Sequence, residues 1–246
     1  MGNLVFSSET GIAQGGVLSP LLMNVALHGM ETAVTEGAGS GQSREQPLLV
    51  RYADNFVIVH PDLKELQQAI KRVKRWLAKI GLHLHETHFA HTLTLYQGQV
   101  GFDFLGFNIH QKFEENMSGQ KGLRKTKVKT LINPSEEASK RHLASIDQRL
   151  EQLQMAPQAQ VIAELNPLIV GWAAYYNGVA EASTMSRYDD LMEHRLINWA
   201  SKRHPGKARD WLLTRYWHPV GEHRRVFATH DGVQLRAYQQ TRILRG

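Results

Sequence analysis

The nine residues from Lys121 to Lys129 hold Lys121, Arg124, Lys125, Lys127 and Lys129, with no acid among them. Cations at that density neutralise phosphates, so the chemistry they offer is electrostatic binding of a polyanion. Further along, Trp172, Tyr175, Tyr176, Tyr188, Trp199, Trp211, Tyr216 and Trp217 are interleaved with basic residues. Such rings can stack on nucleobases while Lys and Arg hold the backbone. The competing reading is that the rings are core and the charges a solvated surface. A different chemistry is raised by His83, His85, His88 and His91. His83 and His85 would share one strand face and could touch a metal, but no Cys and no carboxylate at a familiar spacing completes a zinc set. His194, His204, His218, His223 and His230 read as surface or RNA-facing residues.

The charge is unevenly placed. Residues 1–118 carry 9 Lys+Arg against 11 Asp+Glu, and residues 119–246 carry 20 against 12, within a chain of net charge +6. A balanced front and a basic back point the back half at nucleic acid. With 246 residues and 42% hydrophobic content, the chain can bury a core and is no disordered tail. There is no cysteine, which excludes disulfide scaffolds and thiol nucleophiles. No apolar run nears the roughly 18 residues of a membrane span, and the start lacks a signal-peptide pattern. An intracellular protein, not secreted and with no membrane partner, is expected.

The elements that would position these residues follow from periodicity. Leu48 to Val59 reads as two apolar strands joined at Tyr52–Asn55, a hairpin with Asp54 at its polar tip. Asp62 can cap a helix with Glu65 reaching back as a capping box, and Leu66, Ile70, Val73, Leu77 and Ile80 recur at helical spacing until Gly81. Leu82 and Leu84 alternate with His83 and His85 as in a short strand, and Val100 to Ile109 reads as an aromatic strand or turn. Helices are predicted from Ser135 onward. One carries Leu143, Ile146, Leu150 and Leu153; a second ends near Asn166; a third begins at Pro167 and carries Trp172, Tyr175 and Tyr176; two more cover about 184–203 and 207–217.

Several segments carry a resemblance. Gly11-Ile12-Ala13-Gln14-Gly15-Gly16-Val17-Leu18-Ser19-Pro20-Leu21-Leu22-Met23-Asn24 is similar to the reverse-transcriptase signature beside nucleotide and template. Arg51-Tyr52-Ala53-Asp54-Asn55-Phe56 resembles the catalytic Tyr-Ala-Asp-Asp turn, and Gly101-Phe102-Asp103-Phe104-Leu105-Gly106-Phe107 resembles the palm–thumb segment. Leu165 to Tyr176 and Lys202 to Trp211 resemble the maturase domain of group II intron-encoded proteins. In this order, over about residues 7–217, they identify the chain as similar to the group II intron-encoded reverse transcriptases/maturases. The resemblance implies Asp54 and Asn55 as catalytic residues, with Asp54 the metal residue. It places Gln14, Gly15, Gly16 and Tyr52 at nucleotide and template. It puts Lys121, Arg124, Lys125, Lys127, Lys129, Lys202, Arg203, Lys207 and Arg209 on RNA.

Three departures qualify what the resemblance implies. Nucleotidyl transfer in the family uses two Mg²⁺ ions held by aspartates from two strands. The second aspartate lies upstream of the Gln14-Gly15-Gly16 signature in the family, whereas the ten residues before Gly11 hold no Asp, and Glu9 sits too close. Asn55 replaces a second Asp at the turn and weakens Mg²⁺ binding. His85-Glu86-Thr87-His88 stands where the family has a Lys-Thr pair. A chain beginning after the fingers and first palm strand is expected, with a hairpin left with an unpaired edge or exposed apolar face.

The expected fold class is α+β. A partial reverse-transcriptase palm (1–118) is followed by an all-α thumb/maturase domain (119–217) and a basic C-terminal tail (218–246). The expected function is a mobile-element-derived fragment that binds group II intron RNA and assists RNA splicing, its own RNA-directed DNA polymerase activity lost. The alternative is an active polymerase completed by a separate N-terminal polypeptide. Mg²⁺ is expected only if polymerisation is retained. Beyond intron RNA, the partners implied are a DNA target or primer and a separate fingers polypeptide or second copy. The implied compartment is bacterial cytoplasm or an organelle.

Overall fold

Pro20 falls where the first turn of a helix has no use for an amide, and there the chain becomes α1 (Ser19–Ala26). This is a computed structural model, and it describes residues 17–38, 45–84, 86–115, 126–220 and 224–240. Gly11 to Gly16 and the cations Lys121, Arg124 and Lys125 lie outside the described residues, as does His85. The chain divides into two compact units, Met1–Phe89 and Ala90–Gly246.

In the first unit, Gly29 (φ +90°) lets the backbone turn from α1 into α2 (Met30–Thr35). Strands β1 (Leu48–Tyr52) and β2 (Asn55–Val59) pair antiparallel, Leu48 opposite Val59 and Tyr52 opposite Asn55. The expected hairpin is therefore present. Asp62 Oδ1 accepts from the Lys64 amide at 2.8 Å and starts α3 (Leu63–Lys79). Glu65 does not close a capping box. Its Oε1 takes Arg72 at 2.7 Å, and Arg72 also donates to the Val34 carbonyl. Gly81 ends the helix at φ +76°. Leu27, Met30, Val34, Ala69, Val73 and Leu77 form the core. The predicted strand at Leu82–His85 is not seen among the described residues. Leu82 and Leu84 pack against this core with no partner strand to take their backbone groups.

The second unit opens with β3 (Phe102–Phe104), β4 (Phe107–Glu115) and β5 (Thr126–Pro134), an antiparallel sheet in that order. Leu105 (φ +51°) and Gly106 (φ +80°) make the two-residue turn between β3 and β4. Segment 119–217 was expected to be all-α, yet β5 lies inside it. Lys127, Lys129 and Leu131 alternate along it with Val128, Thr130 and Ile132, a period of two that β4 extends as a ladder from Phe107–Pro134 to Glu115–Thr126. Ser135 caps α4 (Glu136–Gln152) by accepting from the Ala138 amide at 3.1 Å.

Next come α5 (Gln158–Tyr176), α6 (Ala182–Arg203) and α7 (Arg209–Tyr216). The two helices expected to meet at Asn166–Pro167 are one. Pro167 removes the partner of the Ala163 carbonyl, but both residues are exposed and water can take that bond. Val161, Ile162, Leu165, Ile169 and Ala173 bury the opposite side without interruption.

The described residues of the expected tail are ordered into structure as well. Strands β6 (Trp217–Val220) and β7 (Arg224–Phe227) pair, and Tyr238 is almost fully buried. Sheet and helices belong to one unit because Gly106's carbonyl accepts from Ser135 N and Tyr176 Oη, and Phe107 stacks on Tyr175 at 4.9 Å. The compact units thus divide earlier than residue 118. The fold class is α+β, as expected.

Candidate functional site

The β1–β2 turn consists of Ala53 and Asp54, with Ala53 in the left-handed region at φ +54°. Arg51 braces it, donating to the Ala53 carbonyl and to Asn24 Oδ1, both at 3.0 Å. The turn thereby presents Tyr52, Asp54 and Asn55 to solvent, Tyr52 with two-thirds of its surface exposed. Asn55 Nδ2 donates to Asp54 Oδ1 at 3.3 Å. The structure therefore brings Asp54, Asn55 and Tyr52 together on one tip. Among the described residues, no three His, Cys, Asp or Glu side chains gather to hold a metal. Two of the histidine candidates have local partners: His88 pairs with Glu86 at 3.3 Å, and His91 Nδ1 accepts from the Thr94 amide at 3.0 Å in a turn.

In the second unit the aromatic residues separate into two groups. Tyr176, Tyr188, Trp199, Tyr216 and Trp217 are buried, and Trp172 stacks on His142 at 4.7 Å. Tyr175 and Trp211 are the exposed rings of the candidate set, at 55% and 39%. The ordinary reading of most of these rings, as core, is the correct one.

The cations separate too. Lys127 and Lys202 are exposed, with no ion pair among the described residues. Lys207 lies 5.3 Å from the Trp211 ring centre, a cation–π contact at the surface. Arg209 reaches Glu193 at 3.7 Å. Arg203 is turned inward, donating to the carbonyls of Gln154 (3.1 Å) and Ala156 (2.6 Å) and lying over Trp199. Lys129 pairs with Glu181 at 3.2 Å, and so does Lys112 at 3.8 Å. Lys112 was missed in the sequence because it stands 17 residues from Lys129; the β4–β5 register sets the two directly opposite. Burial, and then the cations Arg203, Arg215 and Lys207, lower the pKa of His204 from the ordinary imidazole value.

Residues 4–109 match the family model for reverse transcriptase (RNA-dependent DNA polymerase), and residues 139–217 match that for the group II intron, maturase-specific domain. The two occur in that order in one chain. The chain belongs to the group II intron reverse transcriptase/maturase family. The telomerase reverse transcriptase of Oryza sativa subsp. japonica is 24% identical over 123 residues, which is 43% of this chain. That stretch covers 10% of the telomerase, so the chain spans a small part of the relative it matches.

For a group II intron reverse transcriptase/maturase, the test of the hairpin is its donor set. A two-ion centre needs carboxylates converging from different strands. Here the Asp54 carboxylate has an amide neighbour and no carboxylate cluster around it among the described residues. These residues do not fit a pair of Mg²⁺ ions. No helix among the described residues is long and apolar enough to cross a membrane.

Proposed function

We propose that this chain binds group II intron RNA and assists its splicing, and does not catalyse RNA-directed DNA synthesis by itself. The observation that carries the reading is the surface of the second unit. Lys127, Lys202 and Lys207 are exposed and make no ion pair among the described residues, Lys207 lies against the exposed Trp211, and Tyr175 is exposed as well, while the buried rings hold the scaffold. A cation beside an exposed ring suits a phosphate backbone with an unstacked base. Asp54, Asn55 and Tyr52, with Gln14, Gly15 and Gly16, are the residues of a polymerase site in this family, and among the described residues no carboxylate cluster forms around Asp54 as the chemistry needs.

The test is splicing of a group II intron RNA, with primer extension on an RNA template run in parallel. Added protein is expected to raise the splicing rate, Asp54→Ala to match wild type, and neither to extend the primer. Extension that Asp54→Ala abolishes would overturn the polymerase half of the reading.

A second reading is favoured by one specific observation. α1 buries none of its residues, and Leu21, Leu22 and Val25 are exposed on it, with Leu18 exposed at its N-cap, as are Leu48, Val50 and Val59 on the hairpin. In this reading a separate fingers polypeptide or second copy covers that apolar surface and completes an active polymerase on a DNA primer. Extension that appears only when a fingers polypeptide is added would establish it.

A further inference from the structure

The front half's near-neutral total conceals a local concentration of charge. Lys64, Lys71, Arg72, Lys74, Arg75 and Lys79, six of the nine basic residues before 119, all lie on α3. Its one acid, Glu65, is partly buried and held by Arg72, so neither belongs to the outer face. What remains outside is Lys64, Gln67, Gln68, Lys71, Lys74, Arg75 and Lys79, spaced by one or two helical turns and all exposed. None of these five cations makes an ion pair among the described residues. From Lys64 to Lys79 the stripe runs about 22 Å at 1.5 Å per residue.

We propose that the outer face of α3 is a second RNA-binding surface, one that takes the phosphate backbone of a duplex. The inference rests on the proposed RNA-binding function and extends it to α3, which the charge totals do not single out and on which none of the motif residues named above falls. A row of cations without ion pairs among the described residues, with Gln67 and Gln68 between the first two, matches a regularly spaced polyanion: lysines and arginine meet phosphates, and the amides offer hydrogen bonds to phosphate or ribose oxygens. An anionic membrane is the competing partner for a basic amphipathic helix. It needs an apolar face free to insert, whereas Ala69, Val73 and Leu77 are buried in this unit's own core.

The experiment uses the full chain and a 20-base-pair RNA duplex, with affinity measured from 50 to 200 mM salt. The quadruple variant Lys71→Gln, Lys74→Gln, Arg75→Gln, Lys79→Gln is compared with wild type, and its melting temperature confirms folding. Losing four contacts should flatten the log–log salt slope by roughly 3, at about 0.7–0.9 per phosphate, and weaken binding at least about tenfold at low salt. Because the chain has no cysteine, Lys74→Cys can carry an iron–EDTA group, and cleavage of the bound RNA next to it is expected. An unchanged slope with no cleavage would overturn this inference and leave the second unit's surface standing. Loss of binding to phosphatidylserine vesicles with RNA binding intact would overturn it in favour of lipid. A wild-type chain that binds no RNA would remove both this inference and the function it rests on.

Discussion

Arg203 and Lys202 are neighbours in sequence with opposite fates, and the difference decides what a substitution measures. Arg203 satisfies the carbonyls of Gln154 and Ala156, which follow α4, and covers Trp199. Arg203→Ala should therefore lower stability by about 2 kcal/mol, the usual value of charged hydrogen bonds, and leave the salt slope of RNA binding unchanged. Lys202→Ala should do the reverse. Urea unfolding alongside a salt titration separates the two.

Gly101 belongs to a motif read for its resemblance, and the structure supplies a physical reason for the glycine. At φ +81°, an added Cβ would collide with the Ile109 carbonyl oxygen and come within 2.6 Å of His110 Cβ. Both atoms sit on β4 and cannot yield cheaply. Gly101→Ala should cost about 3 kcal/mol or more, read from the same unfolding curves.

At the scale of elements, residues 224–240 are tied down by side chains from the helices. Asn166 donates to the Gln234 carbonyl and accepts from the Arg236 amide, and Asp189 accepts from the Tyr238 amide at 2.7 Å. Gln158 donates to the carbonyls of Tyr216 and Ala228. Beneath them Tyr238 Oη meets His142 Nε2 at 2.6 Å. Burial, helped by the Arg195 charge, lowers the His142 pKa to about 4. The folded state thus keeps His142 neutral where the unfolded chain, with an imidazole pKa near 6.5, takes up a proton. Stability from this group is complete above about pH 6.5 and declines as pH falls toward 4. His142→Gln should flatten the stability–pH curve across that window, measured by urea midpoints at a series of pH values. Tyr238→Ala, which empties a buried site, should cost about 3–5 kcal/mol at any pH.

At the scale of the whole chain the two units differ in how much they bury. The first has six residues in its core cluster, the second twenty-one, among the described residues. Small cores are marginal. The first unit should unfold at lower urea than the second. Trp76 packs at the edge of the small core, and the other four tryptophans lie in the second unit. The difference signal between wild type and Trp76→Phe should therefore be lost before the remaining fluorescence changes.

Much of this was legible without coordinates wherever the cause is local. The Asp54 hairpin follows from two apolar runs around a polar tip. α3 follows from its 3.6-residue period and the Asp62 cap, and α4 from Ser135. The order of the motifs alone pointed to the family. The rest depended on partners far away in sequence. β5 is a strand because β4 supplies its ladder; taken alone, its lysines read as a linker. α5 continues through Pro167 because burial on one side outweighs one lost bond on the exposed side. Whether an aromatic or a cation is scaffold or surface was equally out of reach, since Trp199 and Trp211 or Arg203 and Lys207 are alike in type and setting along the chain. Burial and carbonyl contacts are set by which helix packs over which residue, and only the tertiary structure decides that.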